Sequence, residues 1–163
     1  EKRDVVVITK EGFISRYDES EVSVYAPASF GMRACEFGTR KNDEVVAAFY
    51  ASPKDVIVMM QQKGNLKRIK VEEVTKIKRS NVGKPIISMT KTNPNFVIDA
   101  KIIHKSNQTN NLDSYVIGDK GFVSIDFNSL KSSSPTLGKN ATSANIGKPQ
   151  KIVIMMNNLD LND

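Results

Sequence analysis

The sequence is short of the residues that surface chemistry and covalent staples draw on. One cysteine cannot form an internal disulfide, and the lone Cys35 fits a reducing compartment. One histidine leaves any Ser–His–Asp or Cys–His arrangement dependent on a singleton, and the Cys/His spacing of a metal cluster is absent. His104 ends an apolar run beside Lys105 and reads as an ordinary surface histidine. Tryptophan is missing and aromatics reach only 7%, which disfavours base stacking on single strands; Tyr17, Tyr25 and Phe30 read as packing residues. No apolar run approaches the roughly 18 residues of a membrane span, and the opening EKRDVVVIT lacks the long apolar core of a secretory signal. The GlyLys pairs at 83–84, 138–139 and 147–148 belong to no GxxxxGK[ST] phosphate loop. With no initiator methionine, the chain reads as a piece of a longer protein of the cytoplasm. No cofactor, metal or catalytic residue is expected.

What is present is β-strand signal and positive charge. The net charge is +6, and it is unevenly placed. Residues 1–50 hold seven basic and nine acidic residues, whereas 51–100 hold ten basic and four acidic. Such a bias invites a polyanionic partner.

Three segments repeat one design of apolar strand, glycine turn and second strand: VVVITKEGFISR (5–16), VIVMMQQKGNLKRI (56–69) and SYVIGDKGFVSID (114–126). Their turn glycines, Gly12, Gly64 and Gly121, lie 52 and 57 residues apart. A second glycine follows each hairpin, Gly31 in SFGMR, Gly83 in NVGKP and Gly147 in NIGKP, at intervals of 19, 19 and 26. The longer third interval places an insertion in the Ser-rich KSSSPTLGKN stretch. At the hairpin turns, glycine takes positive φ without a Cβ penalty. VVAAFYA (45–51), PIISMTK (85–91), NFVIDAKII (95–103) and QKIVIMM (150–156) read as further strands, with the methionine pairs 59–60 and 155–156 in the core. KVEEVTKIK (70–78) has a helical pattern, but its counterparts RYDESEV and DFNSLK do not, so a loop or short turn is expected. Units of this length with about four strands each are propeller blades. One all-β domain over 1–163 is expected, with blades at 1–50, 51–103 and 104–163, the last strand closing the third blade or beginning a fourth.

The hairpin pattern ending KGNLKR, followed by VEEV and NVGKPIISM, resembles the blade repeat of the C-terminal domains of bacterial type IIA topoisomerase A subunits, those of DNA gyrase and topoisomerase IV. VVVITKEGFISRY is similar to the first blade of such a domain. The resemblance implies a β-pinwheel, a propeller-like fold whose blades exchange strands. It also implies duplex DNA as partner, bent around a basic rim and presented to the catalytic core. Partners in the whole enzyme follow from it too: the topoisomerase B subunit, together with the N-terminal core of the same subunit. So does a nucleoid-associated place in the cell. The gyrase box Gln-Arg-Arg-Gly-Gly-Lys-Gly is not found. VYAPASFGMRACEFG (24–38) keeps Gly31 and Arg33 only, which favours topoisomerase IV over a divergent gyrase.

The candidate DNA contacts are Lys63, Lys67, Arg68, Lys70, Lys76, Lys78, Arg79 and Lys84, which face only Glu72 and Glu73 in sequence. Lys10, Arg16 and Arg33 in the first repeat and Lys120 and Lys148 in the third join them, with Lys139 in the insertion. On their own, these cations also fit a solvated face or a propeller that docks an acidic protein partner; the resemblance assigns them to phosphate. No helix suited to a major groove is apparent, so binding without strong sequence preference is expected.

Overall fold

The computed structural model describes residues 2–108, 113–130 and 146–155. Three antiparallel sheets follow one another along the chain. Sheet 1 has the order β3-β1-β2-β6, from β1 (Asp4–Thr9), β2 (Phe13–Asp18), β3 (Val45–Ala51) and β6 (Lys84–Pro85). Sheet 2 has the order β5-β4-β7, from β4 (Val56–Gln61), β5 (Leu66–Lys70) and β7 (Val97–Ile103). Sheet 3 has the order β10-β8-β9, from β8 (Asp113–Gly118), β9 (Phe122–Ser124) and β10 (Pro149–Met155).

The repeat is written into the backbone bonds. Gly12 N–H donates to the Thr9 carbonyl at 3.0 Å and Gly64 N–H to that of Gln61 at 2.9 Å, both glycines in the left-handed region. Lys10 N–H donates to Glu44 and Gln62 N–H to Phe96, and β-bulges fall between Ile8 and Thr9 and between Met60 and Gln61. The third hairpin departs from this design. Gly121 lies outside the left-handed region, and Gly118 N–H donates to its carbonyl at 2.8 Å. The positive φ expected at that glycine is therefore not found. Short 3-10 turns at Glu19–Glu21, Val71–Glu73 and Phe127–Ser129 stand where the helical pattern was discounted. Asp18 and Asp126 cap two of them by accepting from Ser20 and Asn128 N–H.

β6 is the point of exchange. It comes from the second repeat but pairs with β2 of the first, Lys84 opposite Ile14 and Pro85 opposite Phe13. Ile77 N–H and Ile86 N–H donate to the Arg16 and Gly12 carbonyls at 2.8 Å, so the whole stretch 77–86 runs along the first hairpin. The strand expected over 85–91 stops after Pro85. Ile86 and Ile87 then turn inward as core residues.

Stacking explains the apolar runs. Sheet 2 is covered on both sides, so β4 is buried throughout and shows no alternation. Ile57, Met59 and Ile69 pack with Val6, Ile8 and Ile14 of sheet 1. Val56, Val58, Met60 and Leu66 pack with Val116 and Ile152 of sheet 3. β3 touches β7, and β7 touches β10, so β7 lies between the other two. β2 with β6, β5 and β9 lie on the opposite sides of their sheets, at the periphery. Tyr17 packs as expected, buried with its hydroxyl donating to the Ala34 carbonyl at 2.6 Å. Tyr25 and Phe30 do not pack, being exposed, and Met155 is exposed where a core position was expected. The Ser-rich insertion with Lys139, and Met156 onward, lie outside the described residues.

Candidate nucleic-acid interface

The cations grouped by sequence separate into three kinds in space. Lys67 and Arg16 belong to the interior. Lys67 sits beside Met59 on the face of β5 that meets sheet 1, 2% exposed, and its ammonium donates to the Ile86 carbonyl. Burial lowers its pKa to about 8. A group so placed cannot reach a phosphate, which corrects its assignment as a DNA contact. Arg16 is also withdrawn from the rim. Its Nε holds Asp4 at 2.7 Å, and its Nη1 donates to the Val71 and Val74 carbonyls at 3.0 and 2.9 Å. That guanidinium closes the 3-10 turn of the second repeat onto the first hairpin.

Lys76 and Arg79 fasten the crossing stretch. Lys76 Nζ lies 2.8 Å from Asp4 and 3.4 Å from Asp18, and the bond to Asp4 raises its pKa. The N–H and hydroxyl of Ser20, then Lys76, hold the Asp18 carboxyl at about 2. Arg79 N–H donates to Glu21 and its Nη1 to the Arg33 carbonyl. Arg68 is half-buried with its Nε unpartnered. Weaker ties hold Lys10, 4.0 Å from Glu44 and over the Phe96 ring, and Arg33, 3.6 Å from Glu36.

The remaining candidates are open. Lys70, Lys78, Lys84, Lys120 and Lys148 are exposed and have no carboxylate within ion-pair distance among the described residues. Lys63 is exposed as well, with its ammonium donating to Asn93. Lys84 stands on β6, the outermost strand of sheet 1, and Lys78 on the same crossing stretch; Lys70 ends β5. The periphery thus carries charge that the protein itself does not neutralise. Lys41, Lys91, Lys105 and Lys151 share this state, and they lie outside the cluster over residues 61–85 and the repeat positions related to it.

His104 lies at the surface as expected, its side chain 45% exposed, and is also tied to the fold. Its Nδ1 lies 3.0 Å from the buried carboxylate of Asp55, which also accepts from Ser52 and Lys105 N–H. Among the described residues, no three His, Cys, Asp or Glu side chains gather as a metal site, and no helix is long and apolar enough to cross a membrane.

Comparison with known proteins agrees with this architecture. In the A subunit of DNA topoisomerase 4 from Streptococcus pyogenes, 94 residues align at 29% identity, covering 58% of this chain and 11% of that protein. The chain therefore corresponds to a small part of such a relative. A crystal structure of the C-terminal domain of DNA topoisomerase IV superposes with a TM-score of 0.80 at 20% identity, over 93% of this chain and 46% of that one. The C-terminal domain of DNA gyrase A follows with a TM-score of 0.70 at 11% identity, over 95% and 50%. The fold is the β-pinwheel of these domains. Residues 3–52 and 55–104, one stretch for each of the first two repeats, match the family described as DNA gyrase C-terminal domain, beta-propeller, and the chain belongs to that family.

Proposed function

We propose that this chain binds and bends duplex DNA within the A subunit of a topoisomerase IV, presenting the segment to be transported to the catalytic core. Membership of the family carries the reading, and the un-neutralised lysines of the periphery supply its chemistry. Such groups release the cations condensed on the phosphates they neutralise, giving affinity that ignores base sequence. Several such contacts along a curved rim offset a bending cost of roughly 1–6 kcal/mol. Lys70, Lys78 and Lys84 are the leading contacts, with Lys63, Lys120 and Lys148 extending the track. Strand cleavage and ATP use belong to its partners in the nucleoid, the B subunit together with the N-terminal core of the same subunit. The chain itself contributes no catalytic group.

Binding to a labelled random-sequence duplex across a salt series tests this. Affinity should fall with a log–log slope of about −0.9 per phosphate contacted, and Lys70→Glu/Lys78→Glu/Lys84→Glu should flatten that slope by about 2–3. Lys67→Met should leave the slope unchanged, because its ammonium faces protein. A native chain that ignores duplex DNA at low salt would overturn the reading.

A further inference from the structure

A groove at the joint of the first two repeats carries a charge that the protein leaves unanswered. It lies between the first hairpin turn and residues 85–96, has a volume of about 490 Å³, and is walled by Phe13, Ile87, Met89, Pro94 and Phe96. Glu11 stands among these apolar residues, half-buried. Its N–H donates to Asp43, but its carboxylate has no cation within ion-pair distance among the described residues. One of the two oxygens is shut off from water with no hydrogen-bond partner. Such a group has lost hydration without gaining a partner for it.

The repeat shows that this belongs to the joint and not to the hairpin turns in general. In the second hairpin Lys63 and Asn65 hold the places of Glu11 and Phe13. Both are answered within the chain, the Lys63 ammonium donating to Asn93 and the Asn65 oxygen accepting from Asn95 at 3.0 Å. The first hairpin is left with a carboxylate and a ring lining an open groove.

The walls are of a kind that seats cations. The Arg40 guanidinium lies 3.5 Å from the centre of the Phe13 ring, and the Lys10 ammonium 4.9 Å from that of Phe96. Aromatic faces attract such groups, more strongly where water is excluded. Arg40 is engaged by Asp43 at 2.9 Å and Lys10 by Glu44 at 4.0 Å, so neither serves Glu11. Lys91 also lines the groove, but it is exposed and its charge is screened by water.

We propose that this groove docks a protein partner through a lysine or arginine side chain flanked by apolar residues. The cationic head neutralises Glu11, the aliphatic stem lies along Phe13, Phe96 and Met89, and the flanking residues cover Ile87 and Pro94. An acidic segment would set a second uncompensated charge beside Glu11, and a wholly apolar one would bury the carboxylate without a partner. The site adjoins Lys84 but does not rest on DNA binding.

Amide NMR titration with acetyl-Gly-Leu-Arg-Leu-Gly-amide tests this, beside the same peptide with citrulline or glutamate in place of arginine. The arginine peptide should shift the signals of Glu11, Phe13, Met89 and Lys91 and reach saturation. The citrulline peptide should bind at least about ten-fold more weakly, and the glutamate peptide should not bind. Glu11→Gln removes the charge and keeps the shape, whereas Ser88→Lys sets a cation at an exposed lining position. Neither side chain holds a partner among the described residues, so both variants should fold, which circular dichroism checks. Each should weaken the arginine peptide at least about ten-fold. A native chain that gives no saturable shift overturns the proposal. So does a citrulline peptide that binds as tightly as the arginine peptide, or either variant binding like the native chain. The DNA salt series is read separately, so either idea can fail alone.

Discussion

Arg16 and Arg68 hold equivalent places in the first two hairpins, yet only Arg16 is saturated. Two things differ: Asp4 pairs with Arg16 where Val56 holds the equivalent place in the second hairpin, and the Val71 and Val74 carbonyls accept from Arg16. Removing the Arg16 side chain would take a partner from a buried carboxylate and two carbonyls, leaving Lys76 as the one cation at Asp4 among the described residues. Arg16→Ala should therefore cost about 3 kcal/mol in urea unfolding. Lys67 presents the opposite case, a charge buried with a single carbonyl partner. Burial takes its pKa from 10.5 to about 8. Between those values the unfolded chain binds more protons than the folded one, so this group makes stability rise with pH across that window. Below about 8, the native state bears the full cost of keeping the ammonium out of water. Lys67→Met should stabilise the protein by about 1–2 kcal/mol at pH 7 and should lose that rise. Urea midpoints of both proteins at pH 7 and pH 10 check it. A variant no more stable at pH 7 would mean that the bond to Ile86 outweighs desolvation.

The elements hold together through close backbone approach as much as through side chains. β6 has only two residues, and it can lie on β2 because Gly83 precedes it. A Cβ at Gly83 would stand 2.8 Å from the Ile14 carbonyl oxygen and 2.7 Å from Ser15 Oγ. Gly83→Ala should push the crossing stretch off the first hairpin and cost about 2–3 kcal/mol, as overpacking does in a rigid site. Gly121→Ala is the control, because its Cβ would meet nothing within 4 Å and its φ is not left-handed. That change should fall within about 0.5 kcal/mol of native. Thermal or urea unfolding of the pair distinguishes a glycine required by packing from one that merely turns a chain. The two looked alike in sequence, as landmarks of the same repeat.

At the scale of the whole molecule, much was legible because the repeat obliges it. Matched glycines and apolar runs specify hairpins, and hairpins with two apolar faces must stack. The runs 45–51 and 95–103 became the strands Val45–Ala51 and Val97–Ile103, close to their expected bounds, and the segments 5–16 and 56–69 became hairpins. The family was legible through a resemblance, carried by the hairpin ending KGNLKR with VEEV and NVGKPIISM and by VVVITKEGFISRY, and the family match agrees with it. Strand exchange was beyond reach of the pattern itself. The run PIISMTK satisfies strand propensity, but its pairing with β2 depends on where the second repeat sits against the first. The candidate site failed to read in sequence for the same reason. Lys67, Arg68 and Lys70 are neighbours on one strand, yet alternation sends Lys67 beneath sheet 1, and the stacking of sheets decides that this side is interior. Arg16 and Lys76 are 60 residues apart on paper and share one carboxylate in space. The sequence by itself determined the hairpins, their number and the sign of the surface charge, since these follow from local pattern and composition. Only the tertiary structure decided which cations face water, because burial is a property of what packs on a strand and not of the strand.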